Sequence, residues 1–122
     1  MKPNTKAILV SVDDWFRPLD VSNIEDIYRV LGCQLFDVVN ISSDTDIFVD
    51  DEGVIDGRPS NMIASIIATV KTRRPHKLFG DVLFIGHDEK GNTTDCPSWV
   101  YEQISDLIQP QEERKEGRSV GS

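Results

Sequence analysis

Apolar and polar positions along this chain change period every six to twelve residues or so, and each change suggests a new element. Lys6 to Val12 (KAILVSV) is a short β-branched apolar run and predicts a strand. Asp13-Asp14-Trp15-Phe16-Arg17-Pro18 breaks it. Val21, Ile24, Ile27, Tyr28 and Leu31 then recur at helical spacing. Ser22 and Glu25 form an S-x-x-E capping box at the start of that helix, and Gly32 ends it. Gln34 to Ile41 (QLFDVVNI) reads as a second strand and Asp46 to Asp50 (DIFVD) as a third, with a Ser-Ser-Asp-Thr turn between them. Glu52-Gly53 turns the chain again, and Val54-Ile55 would add a short fourth strand.

Ser60 or Asn61 caps the next helix, whose buried side is predicted as Met62, Ile63, Ile66, Ile67 and Val70. Pro75 prevents its continuation. Asp81 to Gly86 (DVLFIG) is apolar on both faces, so it reads as a central strand. After a Glu89–Asn92 turn, a last helix starts near Asp95 to Pro97, with Trp99, Val100, Ile104, Leu107 and Ile108 on its apolar side. The order β-α-β-β-(β)-α-β-α predicts an α+β fold. We expect a single mixed, mostly antiparallel sheet of four or five strands, with three helices mainly on one face.

The 122 residues suit one domain, expected over residues 1–110, with a polar tail at 111–122 expected to be disordered. No apolar run approaches the ~18 residues of a membrane span, and Ala7 to Val10 is too short for a secretory signal. Cys33 and Cys96 are too few and too far apart for a disulfide framework or a zinc site. A reduced, cytoplasmic setting is the plain reading.

Charge changes the picture more. The formal net charge is −8, but it is unevenly spread. Residues 1–56 carry −8, residues 57–80 carry +5 with no acid, residues 81–110 carry −5, and the tail is neutral. An acidic chain is poorly suited to phosphate backbones, which argues against direct nucleic-acid binding. The basic segment, with Arg58, Lys71, Arg73, Arg74 and Lys77, could instead receive a nucleotide or another small anion.

Candidate chemistry is sparse. Asp13-Asp14 follows a strand end, where paired carboxylates could serve a metal-dependent hydrolase. The acids from Asp44 to Glu52 lack EF-hand spacing, and Asp46 to Asp50 look like an edge strand blunted by charge. No P-loop, G-x-G-x-x-G, G-x-S-x-G or H-E-x-x-H occurs. We therefore expect no catalytic residue, no metal and no cofactor. The binding candidates are Trp15, Arg58, Asn61, Lys71, Arg73, Arg74 and His87, the last directly following the central strand.

One stretch stands out as a unit: Asp51-Glu52-Gly53, a short strand, then Gly57-Arg58-Pro59-Ser60-Asn61 opening a helix. With Leu31 to Val39, Phe79 to Gly86 and Asp88 to Asn92, it resembles a small phage and actinobacterial family, domain of unknown function 3846, over about Ala7 to Leu107. The resemblance implies a phage or mobile-element origin and no established enzyme activity. Asn61 has a structural reading as a helix cap, and a functional one in which Arg58, Asn61 and a helix N-terminus face an anion. The expected function is that of a phage-encoded, non-catalytic binding module acting on a host or bacterial-defence protein. A nucleotide-binding protein is the alternative, and a hydrolase using Asp13 and Asp14 a further one. A homodimer is left open by the large apolar groups Trp15, Phe16, Phe48 and Trp99.

Overall fold

A computed structural model describes residues 4–52 and 57–108 of the chain. Strand β1 (Thr5–Val10) turns into β2 (Phe16–Val21), and helix α1 (Ile24–Leu31) follows. A hairpin of β3 (Phe36–Ser42) and β4 (Thr45–Asp50) leads to helix α2 (Met62–Thr72). Strand β5 (Val82–His87), the short β6 (Thr93–Thr94) and helix α3, over residues 98–108, complete the order. The strands form one sheet in the order β2-β1-β5-β4-β3, with β6 paired to the C-terminal end of β5. Every pairing among the described strands is antiparallel. The fold is α+β, as the order of segments predicts.

Alternation along the strands divides the core. Ile8, Val10, Ile47, Val49, Val82 and Phe84 point to one face, where they meet Ile63, Ala64, Ile67 and Ala68 of α2 and Val100 and Ile104 of α3. Ala7, Leu9, Leu83 and Ile85 point to the other face, under Ile27 and Leu31 of α1. β5 contributes to both faces, so it must be apolar throughout and central. Burying a side chain such as Phe84 contributes about 1.5–3 kcal/mol.

The two faces are covered unequally. Among the described residues, two helices share the first, while α1 alone covers the second. Eight residues of helix are about 12 Å long, whereas five strands at ~4.8 Å spacing span about 20 Å. Part of the second face therefore lies open beside α1.

Several elements differ from the sequence expectation. β2 was not anticipated, because Pro18 sits within it. Its position at the sheet edge, paired among the described residues to β1 only, tolerates the missing N–H. β4 is not an edge strand: it pairs with β3 on one side and β5 on the other. Its acids are accommodated there because Asp46 faces His87 and Asn40, and Asp50 faces Arg58. The cap of α1 lies one residue later than the S-x-x-E box. Asn23 Oδ1 accepts from the Asp26 N–H at 3.0 Å, and Asp26 accepts from the Ser22 N–H at 2.8 Å. Gly32 ends α1 in the left-handed conformation, φ 63°, as expected.

The largest difference is in α2. Its buried residues are Ile63, Ala64, Ile67 and Ala68, whereas Met62, Ile66 and Val70 are 67, 38 and 63% exposed. Apolar residues cover most of this helix, leaving Ser65, Thr69 and Thr72 as one polar strip, so their spacing alone does not say which side faces the core. The expected Val54-Ile55 strand and the 111–122 tail lie outside the described residues.

Candidate functional site

The described side chains assign different places to the seven binding candidates. Trp15 is exposed in the loop joining β1 and β2, where its carbonyl accepts from Ser11 N–H at 2.8 Å. Asn61 sits beside the end of β1 and is fully buried. Its amide donates to the carbonyls of Val10 and Gly80, both at 3.0 Å, and its Oδ1 accepts from Ala64 N–H at 3.1 Å as the cap of α2. Every polar atom of this amide is thus engaged within the fold. Arg58 is engaged as well. Its guanidinium donates to the carbonyls of Leu31 (3.3 Å) and Gly32 (2.8 Å), and its Nε lies 2.7 Å from Asp50 Oδ2. It is a remote cation at the C-terminus of α1, where the helix dipole favours positive charge. The backbone turns at Gly80 (φ 79°) close above the arginine stem, since a Cβ there would lie 2.9 Å from Arg58 Cδ.

Lys71 lies over the Trp99 ring, its Nζ 4.1 Å from the centroid, which joins the end of α2 to the start of α3. Arg73 caps α2 in the left-handed conformation, φ 59°, and Arg74 follows it, both exposed. The basic segment therefore does not converge on one anion site. Arg58 serves the opposite end of the sheet from Lys71, Arg73 and Arg74.

His87 stands at the C-terminal end of β5, on the open face. Its Nδ1 lies 3.1 Å from Asp46 Oδ2, within ion-pair range but off the line of a hydrogen bond. The pair is mostly buried, and Asn40 donates to the second carboxylate oxygen of Asp46 at 3.0 Å. His87 also fixes the β3–β4 turn, since its N–H donates to the Asp44 carbonyl at 3.0 Å. Asp44 is held below the usual carboxylate range by the Ser42 hydroxyl, with Thr45 and Trp99 adding bonds. Asp88 is lowered too, first by the Asn92 N–H.

Two cavities flank this strand end. One, about 610 Å³, is lined by Ser43, Asp44, His87, Asp88, Lys90 and Asn92, with Glu89 at its rim. The other, about 510 Å³, is the uncovered strip beside α1. Ser22, Asn23, Ile24 and Ile27 form one wall, Phe36 and Phe48 the floor, and Thr93 the end. Phe36 and Phe48 lie 5.1 Å apart, tilted by 44°. Val38, exposed and paired with Phe48 on the same face, extends the apolar floor. Thr93 pairs with His87 across β5 and β6, so the two cavities meet at that residue pair.

Among the described residues, His87 Nδ1 has no hydrogen-bond partner. Burial pushes the Cys96 thiol up to about 12 and raises Cys33 as well, which keeps both protonated near neutral pH. No group of three His, Cys, Asp or Glu side chains among the described residues is placed to hold a metal ion. Asp13 and Asp14, in the β1–β2 loop, thus lack further ligands there.

Sequence reasoning names His87 as a candidate but not the groove beside it. The pattern places Ile24 on the apolar side of a helix and Phe36 within a strand, and marks Phe48 only as a large apolar group of a dimer or partner surface. The available signal was the length of α1: a helix ending at Gly32 is too short to cover one face of a five-strand sheet.

An antiparallel sheet with two helices on one face, and a single short helix leaving a groove on the other, defines an α+β domain with a preformed surface cleft. The chain belongs to the family described as Domain of unknown function (DUF3846), whose model matches residues 4–109. Neither curated proteins nor solved structures gave a match.

Proposed function

We propose that this protein is a non-catalytic binding module, and that the groove beside α1 receives an apolar side chain from a partner protein. The observation that carries the reading is the open sheet face itself: Ile24, Phe36, Val38 and Phe48 form an apolar strip ending at the Asp46–His87 pair. Apolar strips of this kind, rimmed by polar groups, are common at interaction sites. The neighbouring cavity is rimmed by Asp44, Asp88 and Glu89 against Lys90, so the matching partner carries Lys or Arg beside its apolar anchor. We further propose that the partner is a host or bacterial-defence protein, and that the chain is phage-encoded and acts by occupying it.

A nucleotide reading has less support. Both cavities lie among carboxylates or apolar groups, while Arg58 is engaged at the end of α1 and Lys71 over Trp99.

The test is retention of proteins from host lysate by the wild type and by Ile24→Lys, a change at an exposed rim position. The reading expects a protein retained by the wild type and lost at least tenfold by the variant. Equal retention by both, or retention of nothing, contradicts it.

A further inference from the structure

We propose that the outer face of α2 packs against the same face of a second copy of this chain, with the two helices antiparallel about a twofold axis at Ile66. The inference is independent of the groove beside α1, which lies on the other face of the sheet.

The first observation is the apolar ridge. Met62, Ile66 and Val70 are exposed on a helix whose opposite side is already in the core. A spacing of four aligns them along one row, about 12 Å from end to end, which is the row that interdigitates in the commonest helix packing. Met62, Ser65, Ile66, Thr69, Val70 and His76 line a shallow groove of about 260 Å³ along the same row, able to take a knob from a facing helix. A row of large apolar side chains left exposed beside an already buried face marks a surface for a partner.

The second observation is charge, which selects the occupant. At the C-terminal end of the ridge, Arg73 and Arg74 are exposed and have no acidic partner among the described residues. At its N-terminal end lies the β1–β2 loop, held there by the Asn61 bond to the Val10 carbonyl. That loop carries Asp13 and Asp14, both exposed and without a basic partner among the described residues. Antiparallel pairing sets Met62 against Val70 of the second copy and Ile66 against its own equivalent. It also brings the Arg73–Arg74 end of each copy to the Asp13–Asp14 end of the other. The match occurs twice, as a closed, self-complementary interface requires. An acidic helix from another protein would match only the arginine end. Residues 109–122 (QPQEERKEGRSVGS) contain too few apolar side chains to supply three anchors.

Sedimentation velocity of the full chain from about 1 to 200 µM tests this. The expected result is a species of twice the 13.7 kDa chain mass, its fraction rising with concentration. Val70→Lys, at a 63% exposed position, should shift the dissociation constant upward at least tenfold with the thermal melt of the monomer retained. Ile66→Glu, which sets two carboxylates face to face on the axis, should do the same. Arg73→Glu with Arg74→Glu should weaken the dimer, and adding Asp13→Arg with Asp14→Arg should restore it. A monomer throughout, a dimer indifferent to Val70→Lys and Ile66→Glu, or a failure of the fourfold charge swap to restore association would each overturn the proposal.

Discussion

Asn61 shows how one side chain can define a corner of this fold. It caps α2 with its oxygen and ties β1 to the approach of β5 with its nitrogen. Losing it removes a helix cap, worth ~1 kcal/mol, and leaves two carbonyls short of a donor at ~1–3 kcal/mol for a buried unmet group. Asn61→Ala should therefore lower unfolding stability by about 2–4 kcal/mol in urea, with an unchanged slope against denaturant. Asn61→Asp keeps the cap but not the donors, so it should not restore stability. The cap was legible in the sequence, but the two carbonyls it reaches were not, since Val10 lies 51 positions away. Arg58 was read as an anion receptor for the same reason: nothing local reveals that the end of α1 folds back to it.

Asp44 gives a pH prediction at this scale. Its folded value is depressed, so the stability it contributes is present above the unfolded value near ~3.9 and is lost as pH falls through the folded value. Asp88 acts in the same direction. The urea midpoint should therefore fall as the pH drops below about 4. Asp44→Asn should start lower and decline less steeply over that range. A midpoint that rises on acidification there would contradict the assignment.

Among the elements, the two central strands β1 and β5 were the more legible. Lys6–Val12 and Asp81–Gly86 lie within a residue or two of β1 and β5, because apolar β-branched runs leave few other options. Helix faces were harder. In α3 the expected side is the one packed, since the other side is polar. In α2 both sides are apolar, so the choice fell to tertiary packing. β6 was missed because two residues make no pattern; it is held where β5 and the start of α3 meet. Gly86 marks that junction: a Cβ there would overlap the Asp95 carbonyl oxygen and come within 2.6 Å of Thr94 Oγ1. Gly86→Ala should push β6 off β5 and cost about 1–3 kcal/mol of stability, read by thermal unfolding. It should also weaken partner retention, since Thr93 ends the groove.

For the molecule as a whole, net charge said less than its distribution. The acids collect around the Asp46–His87 end and in the β1–β2 loop, while Arg73 and Arg74, without an ion pair among the described residues, stand at the end of α2. A partner steered to the acidic end should associate more slowly as salt rises, with a smaller effect on its rate of dissociation. The groove was the least legible feature, because an open sheet face depends on how far α1 reaches across strands brought together from five parts of the chain.

The central claim is that this open face is the binding surface. It is tested most directly by adding the protein retained from lysate to the ¹⁵N-labelled chain and mapping the amide shifts. The account predicts changes concentrated at Ile24, Phe36, Val38, Phe48, His87 and Thr93. Shifts confined to the α2 face or to the β1–β2 loop, with these six unmoved, would contradict it.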